Sequence, residues 1–140
     1  MTLSANAAIV DVKDFTRYKQ AVASGAIHFY KGAICNFNSS GYVKLGTDTS
    51  GELFAGIALE ELNQATGGSN ADNDILLIPA KSGAVVELTL ASVAVTNIGS
   101  SAYVSADDAV ALVGATTHDV RVGTIVALST TANKCLVKLD

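Results

Sequence analysis

The 140-residue chain is 49% apolar and only 16% charged, carries a formal net charge of −4, and contains four Tyr, four Phe, no Trp and a single Pro. A length of this order suits one domain with a real core. The acidic balance excludes a general nucleic-acid binder, which needs a basic face to release phosphate counterions. No run approaches the roughly 18 apolar residues that cross a bilayer, and residues 1–15 lack the basic start and long apolar middle of a signal peptide, so synthesis is expected in a cytoplasm.

Residues 1–10 are small and apolar without a clear period and read as an arm. From Asp11, the apolar positions Val12, Phe15, Tyr18 and Val22 recur every three or four residues. That spacing predicts a short amphipathic helix capped by Asp11. Lys13, Arg17 and Lys19 make this the most basic part of the chain, either an attachment surface for an acidic partner or an ordinary solvated face. The arm is placed at residues 1–25.

The region 26–140 reads as a single β domain. Predicted strands cover Ala26–Tyr30, Ala33–Phe37, Tyr42–Leu45 and Leu53–Leu59, with Asn38-Ser39-Ser40-Gly41 as a hairpin turn and Gly56 as a bulge or close backbone approach. Glu60–Asp74, rich in Asn, Gly and acid, is expected to be a long exposed loop. Asp72, Asn73 and Asp74 lack the central Gly and closing Glu of an EF-hand, so calcium is not expected there. Ile75–Ile78, ended by Pro79, suits a strand buried on both faces, and Val86, Leu88 and Leu90 alternate with Val85, Glu87 and Thr89 as a half-buried one. Four more short strands follow, at Ala102–Val104, Val110–Val113, Val120–Leu128 and Cys135–Leu139. The expected fold is therefore all-β, a compact β-sandwich or barrel of jelly-roll-like form behind an N-terminal arm with a short helix.

Part of this pattern occurs twice. Ala33-Ile34-Cys35, Tyr42–Leu45 and Ala55-Gly56-Ile57-Ala58 run in the same order as Ala102-Tyr103-Val104, Ala109–Leu112 and Val122-Gly123-Thr124-Ile125, with a two-residue contraction in a turn. A repeated strand–turn–strand–Gly–strand unit implies two similar sheets folded on each other, although any two meanders share such wording.

No chemistry-bearing constellation accompanies these strands. His118 and Asp119 lie in a polar turn without a nucleophile elbow, Gly67-Gly68 is not followed by the Lys and Ser or Thr of a phosphate loop, and no His or Cys residues have metal-ligand spacing. Neither a catalytic site, a metal site nor a cofactor is expected. Cys35 and Cys135 read as buried free thiols, with a disulfide between the two halves as the alternative.

The final stretch carries a resemblance. Gly99-Ser100-Ser101-Ala102-Tyr103-Val104, the Asp107-Asp108 turn, Val122-Gly123-Thr124-Ile125-Val126-Ala127 and the closing Leu136-Val137-Lys138-Leu139 resemble the C-terminal half of the small decoration, or cement, proteins that coat the heads of tailed bacteriophages. The likeness extends over Lys31–Leu59 and Gly83–Asp140, and within the N-terminal forty residues the basic helix-like segment and the strand after it have no counterpart in it. It implies a non-enzymatic virion protein on the outside of an icosahedral head, with the major capsid protein as partner and a dimer or trimer as the working unit. On that reading Lys13, Arg17, Tyr18 and Lys19 would meet the shell, with Asp72 and Asp74 as further contacts. The competing reading is a receptor- or carbohydrate-binding β-sandwich at a virion surface, weakened by the lack of Trp for stacking on sugars.

Overall fold

The computed structural model describes Leu3, Ala5, Asn6 and residues 17–140. Twelve strands form among the described residues: β1 (Tyr18–Ala21), β2 (Gly25–Phe29), β3 (Ile34–Phe37), β4 (Val43–Leu45), β5 (Leu53–Ala58), β6 (Leu62–Gly68), β7 (Asp74–Pro79), β8 (Val85–Thr89), β9 (Ser101–Ala106), β10 (Ala109–Ala111), β11 (Arg121–Leu128) and β12 (Lys134–Lys138). The all-β expectation is met. Its finer form is two five-stranded units built to one plan, a sheet curled until its ends touch and a closed barrel, which we call the first and second barrel.

The first sheet runs β1-β7-β5-β3-β4, and its two outer strands meet at a parallel bridge between Val22 and Val43. The second runs β8-β12-β11-β9-β10 and closes fully through a parallel pairing of Thr89 with Ala109. Strand for strand, the orders are the same. The hydrogen bonds repeat as well. Gly32 N–H donates to Ala58 O at 2.7 Å as Gly99 N–H does to Ile125 O at 2.8 Å, and Ala58 N–H meets Ala33 O at 2.9 Å as Ile125 N–H meets Ser100 O at 2.9 Å. Gly32 and Gly99 have φ of +90° and +91°, a conformation that only Gly adopts at little cost.

The equivalence holds at a constant offset of 67 residues from Tyr30–Leu59 to Asn97–Val126, because the paired positions of β3, β4 and β5 recur 67 residues on in β9, β10 and β11. The duplication is thus real, but no contraction is needed: Cys35, not Ala33, matches Ala102, since both pair with the bulge glycine of the next strand, Gly56 or Gly123. A two-residue slip keeps every side chain on its face, so hydrophobic pattern alone cannot detect it.

The two barrels share their packing unequally. Cys35, Val43, Ala55, Ala58, Ile75 and Leu77 fill the first interior with Val22 and Phe29. The bulge at Gly56 lets Ala55 and Ala58 share one face while Phe54 and Ile57 turn to the other. Those two residues, with Ile34 and Ile78, join the core of the second barrel. The outer face of the first sheet therefore covers one end of the second barrel. Ile34 N–H donates to Asp107 O at 2.8 Å across this joint, and Gly46 lies between Ile34 and Val104 so closely that a Cβ there would be 3.1 Å from the Val104 methyl.

Two expectations fail. Tyr18–Ala21 is a strand rather than part of a helix, because pairing with β7 satisfies its backbone and extends the first sheet; the remainder of the predicted helix, including Lys13, lies outside the described residues. Glu60–Asp74 is not a structureless loop, since Leu62–Gly68 pairs with Gly25–Phe29 as a two-stranded ribbon. Its low hydrophobicity fits a ribbon exposed along most of its length. The sheet begins at Tyr18, with Val22 fully buried, so the residues before Ala26 include part of the first barrel.

Candidate functional site

One concave surface among the described residues, about 550 Å³, is a cleft between the barrels, with Leu53, Phe54 and Lys81 on one side and His118, Arg121 and Asp140 on the other. Several of its polar groups are bonded to one another. Arg121 donates to Asp140 Oδ1 at 2.9 Å, to the Asp140 carbonyl at 3.0 Å and to Thr124 Oγ1 at 3.0 Å, and the Asp140 carboxyl is held below its ordinary range by these partners against the opposing cost of burial. Asp48 accepts the backbone N–H groups of Thr117 at 2.7 Å and His118 at 2.8 Å, which hold its carboxyl low, while His118 Nδ1 lies 3.4 Å from Asp48 Oδ1. These contacts bind loop to loop.

His118 Nδ1 also lies 3.2 Å from the Asp48 carbonyl oxygen. Its carboxylate neighbour is occupied by backbone donors, and among the described residues no serine hydroxyl or cysteine thiol is bonded to its ring. Cys35 and Cys135 are buried and free; burial pushes both thiols up, Cys135 to about 11 with help from the Glu87 carboxylate, so neither supplies a thiolate at neutral pH. Among the described residues no three His, Cys, Asp or Glu side chains gather as a metal site, and no helix is long and apolar enough to cross a membrane.

Two further concavities are exposed ends of the stack. One, about 470 Å³, opens at the end of the first barrel between Gln20, Phe37, Gly51 and Leu53. The other, about 370 Å³, lies on the outer face of the second barrel between Ser101, Tyr103, Leu112 and Val113. Leu53 and Val113 are the most exposed large apolar residues described, at 70% and 72%.

Comparison with known proteins adds no relative. Protein-family models, curated proteins and solved structures each give no match to this chain.

The predicted contact residues scatter along one ribbon. Tyr18 and Lys19 sit on β1 opposite Leu77 and Leu76 of β7, and Asp74 lies opposite Ala21 at the other end of the same pairing. Arg17 precedes them and is exposed. Tyr18 and Lys19 therefore lie on the outer strand β1 and Asp74 on the neighbouring strand β7, whereas Asp72 spends an oxygen on Ser69 N–H at 2.8 Å in the β6–β7 turn. Sequence reasoning did not single out Leu53 and Val113. The usable signal was the repeat itself, because aligning its halves pairs Leu53 with the buried Val120 and Val113 with the interfacial Gly46.

Proposed function

We propose that this chain is a decoration protein of a tailed-phage head, binding the outer surface of the shell and bridging neighbouring capsid subunits. The observation that carries the reading is the likeness of Gly99–Asp140 to cement proteins, a stretch that coincides with the four consecutive strands β9 to β12 of one barrel. A second support is the chemistry of the surface: in the cleft between the barrels Arg121 and Asp140 are paired with each other and with Thr124, which suits a rigid structural part better than a reactive site.

Attachment would use the edge formed by Arg17, Tyr18 and Lys19, whose cations suit an acidic shell surface. The β2–β6 ribbon offers two further strand edges to an extended segment of the shell by strand addition. Each copy would bury a modest interface. Many copies on one lattice convert weak contacts into resistance to expansion and dissociation, because every attached copy raises the effective concentration of its neighbours' sites.

The test is to add purified protein to expanded phage heads stripped of their decoration, pellet the heads, and follow head melting. Saturable pelleting at a fixed ratio with a raised melting temperature supports the reading; failure to bind a panel of expanded heads overturns it. An attachment variant should replace Arg17, Tyr18 and Lys19 by Ala rather than truncate the chain through them, since Val22 belongs to the core. Binding to a glycan array without binding to heads would instead favour a carbohydrate-binding module.

A further inference from the structure

The duplication reveals what each exposed end of the stack is shaped to meet. Within the chain, the first barrel presents an outer face of Ile34, Gly46, Phe54, Ile57 and Ile78, and the second barrel receives it at an end formed by Val104, Asp107, Thr117, His118 and Val120. Applying the 67-residue offset gives the counterparts. At the receiving end the counterparts are Phe37, Ser40, Ser50, Gly51 and Leu53, of which Phe37, Gly51 and Leu53 line the open 470 Å³ groove. The presenting face of the second barrel includes Ser101 and Val113, which line the open 370 Å³ groove with Tyr103 and Leu112. One joint is made internally, and one unmade half of the same joint remains at each end.

The joint is also directional. If the barrels met about a two-fold axis, the contact of Gly46 with Val104 would be matched by a contact of Val113 with Phe37. Instead Val113 is 72% exposed, and the groove beside Phe37 has no residue of the second barrel in its lining. A face that meets a different face is heterologous, and such contacts propagate from copy to copy as rings or chains.

We infer that copies of this protein associate head to tail, the second-barrel face at Tyr103, Leu112 and Val113 of one copy covering the first-barrel end at Phe37 and Leu53 of the next. The occupant is a second copy because the chain already builds this contact once, between its own two halves. The contact between copies is weaker than the internal one. Ile34, Phe54, Ile57 and Ile78 are replaced in the second barrel by Ser101, Arg121, Thr124 and Lys138, so less apolar surface is buried. Val113 stands where the internal joint has Gly46, whose missing side chain permits close approach, so two copies sit farther apart than the two barrels do. Assembly is therefore expected at high concentration, or where a surface gathers the copies. The inference rests on the repeat alone and does not require the shell-binding reading.

Analytical ultracentrifugation of the full chain over a wide concentration range tests it, together with Leu53→Asp and Val113→Asp. Both positions are exposed, so melting temperatures should stay within a few degrees of the parent, which verifies folding. Wild type should self-associate reversibly, and each variant should raise the apparent dissociation constant at least tenfold. The decisive sample is an equimolar mixture. A Leu53→Asp chain keeps an intact presenting face and a Val113→Asp chain an intact receiving end, so the mixture should yield a heterodimer and nothing larger at concentrations where each alone is monomeric. A wild type that stays monomeric at millimolar concentration, a mixture that forms no dimer, or loss of association in only one of the two variants would each overturn the inference.

Discussion

Gly56 and Gly123 occupy the same point of the two barrels, and each presses its α-carbon against the strand alongside: a Cβ at Gly56 would run into the Ile78 carbonyl oxygen, and one at Gly123 into that of Lys138. They differ in backbone, because Gly56 has a φ of +149° whereas Gly123 is not among the positive-φ glycines. Gly56→Ala therefore meets both collision and strain and is expected to cost about 2–4 kcal/mol, while Gly123→Ala meets collision alone and costs about 1–3 kcal/mol. Urea midpoints with unchanged slopes measure this. A tolerated Gly56→Ala would mean that the strands can separate at the bulge without penalty.

Glu52 holds the β4–β5 loop to the first sheet. It accepts from the Asn36 amide at 2.9 Å, Lys44 Nζ at 2.6 Å and Thr47 Oγ1 at 2.9 Å, and these partners outweigh burial and keep its carboxyl below the ordinary range. Asn36 is fully buried, so Glu52→Ala would leave one of its amide protons without this acceptor at an expected cost of about 1–3 kcal/mol. A depressed carboxyl contributes stability that is present above its unfolded pKa, near 4.5, and is lost as pH falls through the lower folded value. The gap between wild type and Glu52→Ala should accordingly close on acidification. A gap that persists at low pH would assign the cost to lost packing instead.

The fold was legible where the pattern is local. Val86 and Leu88 alternate with half-exposed neighbours, Gly56 marks a bulge, and Ile75, Leu77 and Ile78 are buried as an apolar run predicts. It was illegible where pairing decides. Tyr18–Ala21 has helical spacing with its upstream neighbours, yet β7 provides an edge that only the folded sheet reveals. Gln64 looks like a loop residue, but it is buried, its amide bonded to the carbonyls of Ala23 and Gly25 and its oxygen to Asn73. The exposed ends were hidden for another reason: Leu53 and Val113 read as ordinary strand or turn apolar residues until the repeat shows what covers their equivalents.

The two thiols should be silent at neutral pH and costly in alkali. Cys35 and Cys135 are fully buried, in the cores of different barrels, so neither should react with a thiol reagent in the native protein, and both should react on unfolding. A raised thiol pKa leaves the native state's stability intact below the unfolded value of 9.0 and erodes it as pH climbs toward the folded value, about 11 for Cys135. The slope is about 1.4 kcal/mol per pH unit for each such thiol. Cys135→Ala should start about 1 kcal/mol less stable at pH 7, from the lost sulfur packing, and decline less than wild type between pH 9 and 11. Parallel alkaline melting curves for the two proteins would remove the thiol from the explanation.

Asp48 links the barrels from the outside. Its carboxylate receives two backbone N–H groups from the Thr117-His118 turn, with the His118 ring beside it, and the counterpart position in the second barrel is Ala115, which has no such bond to offer. Removing it should loosen one loop contact without touching either interior, so Asp48→Ala is expected to lower the melting temperature by a few degrees and to speed hydrogen exchange at Thr117 and His118 specifically. Because the carboxyl is held below its ordinary value, its contribution is present above pH 3.8 and fades as pH drops further. Wild type and variant should thus converge in acid, and the exchange difference should vanish with them. Faster exchange throughout the second barrel at neutral pH would show instead that this contact governs the whole joint, and that the barrels depend on each other for folding more than their separate interiors imply.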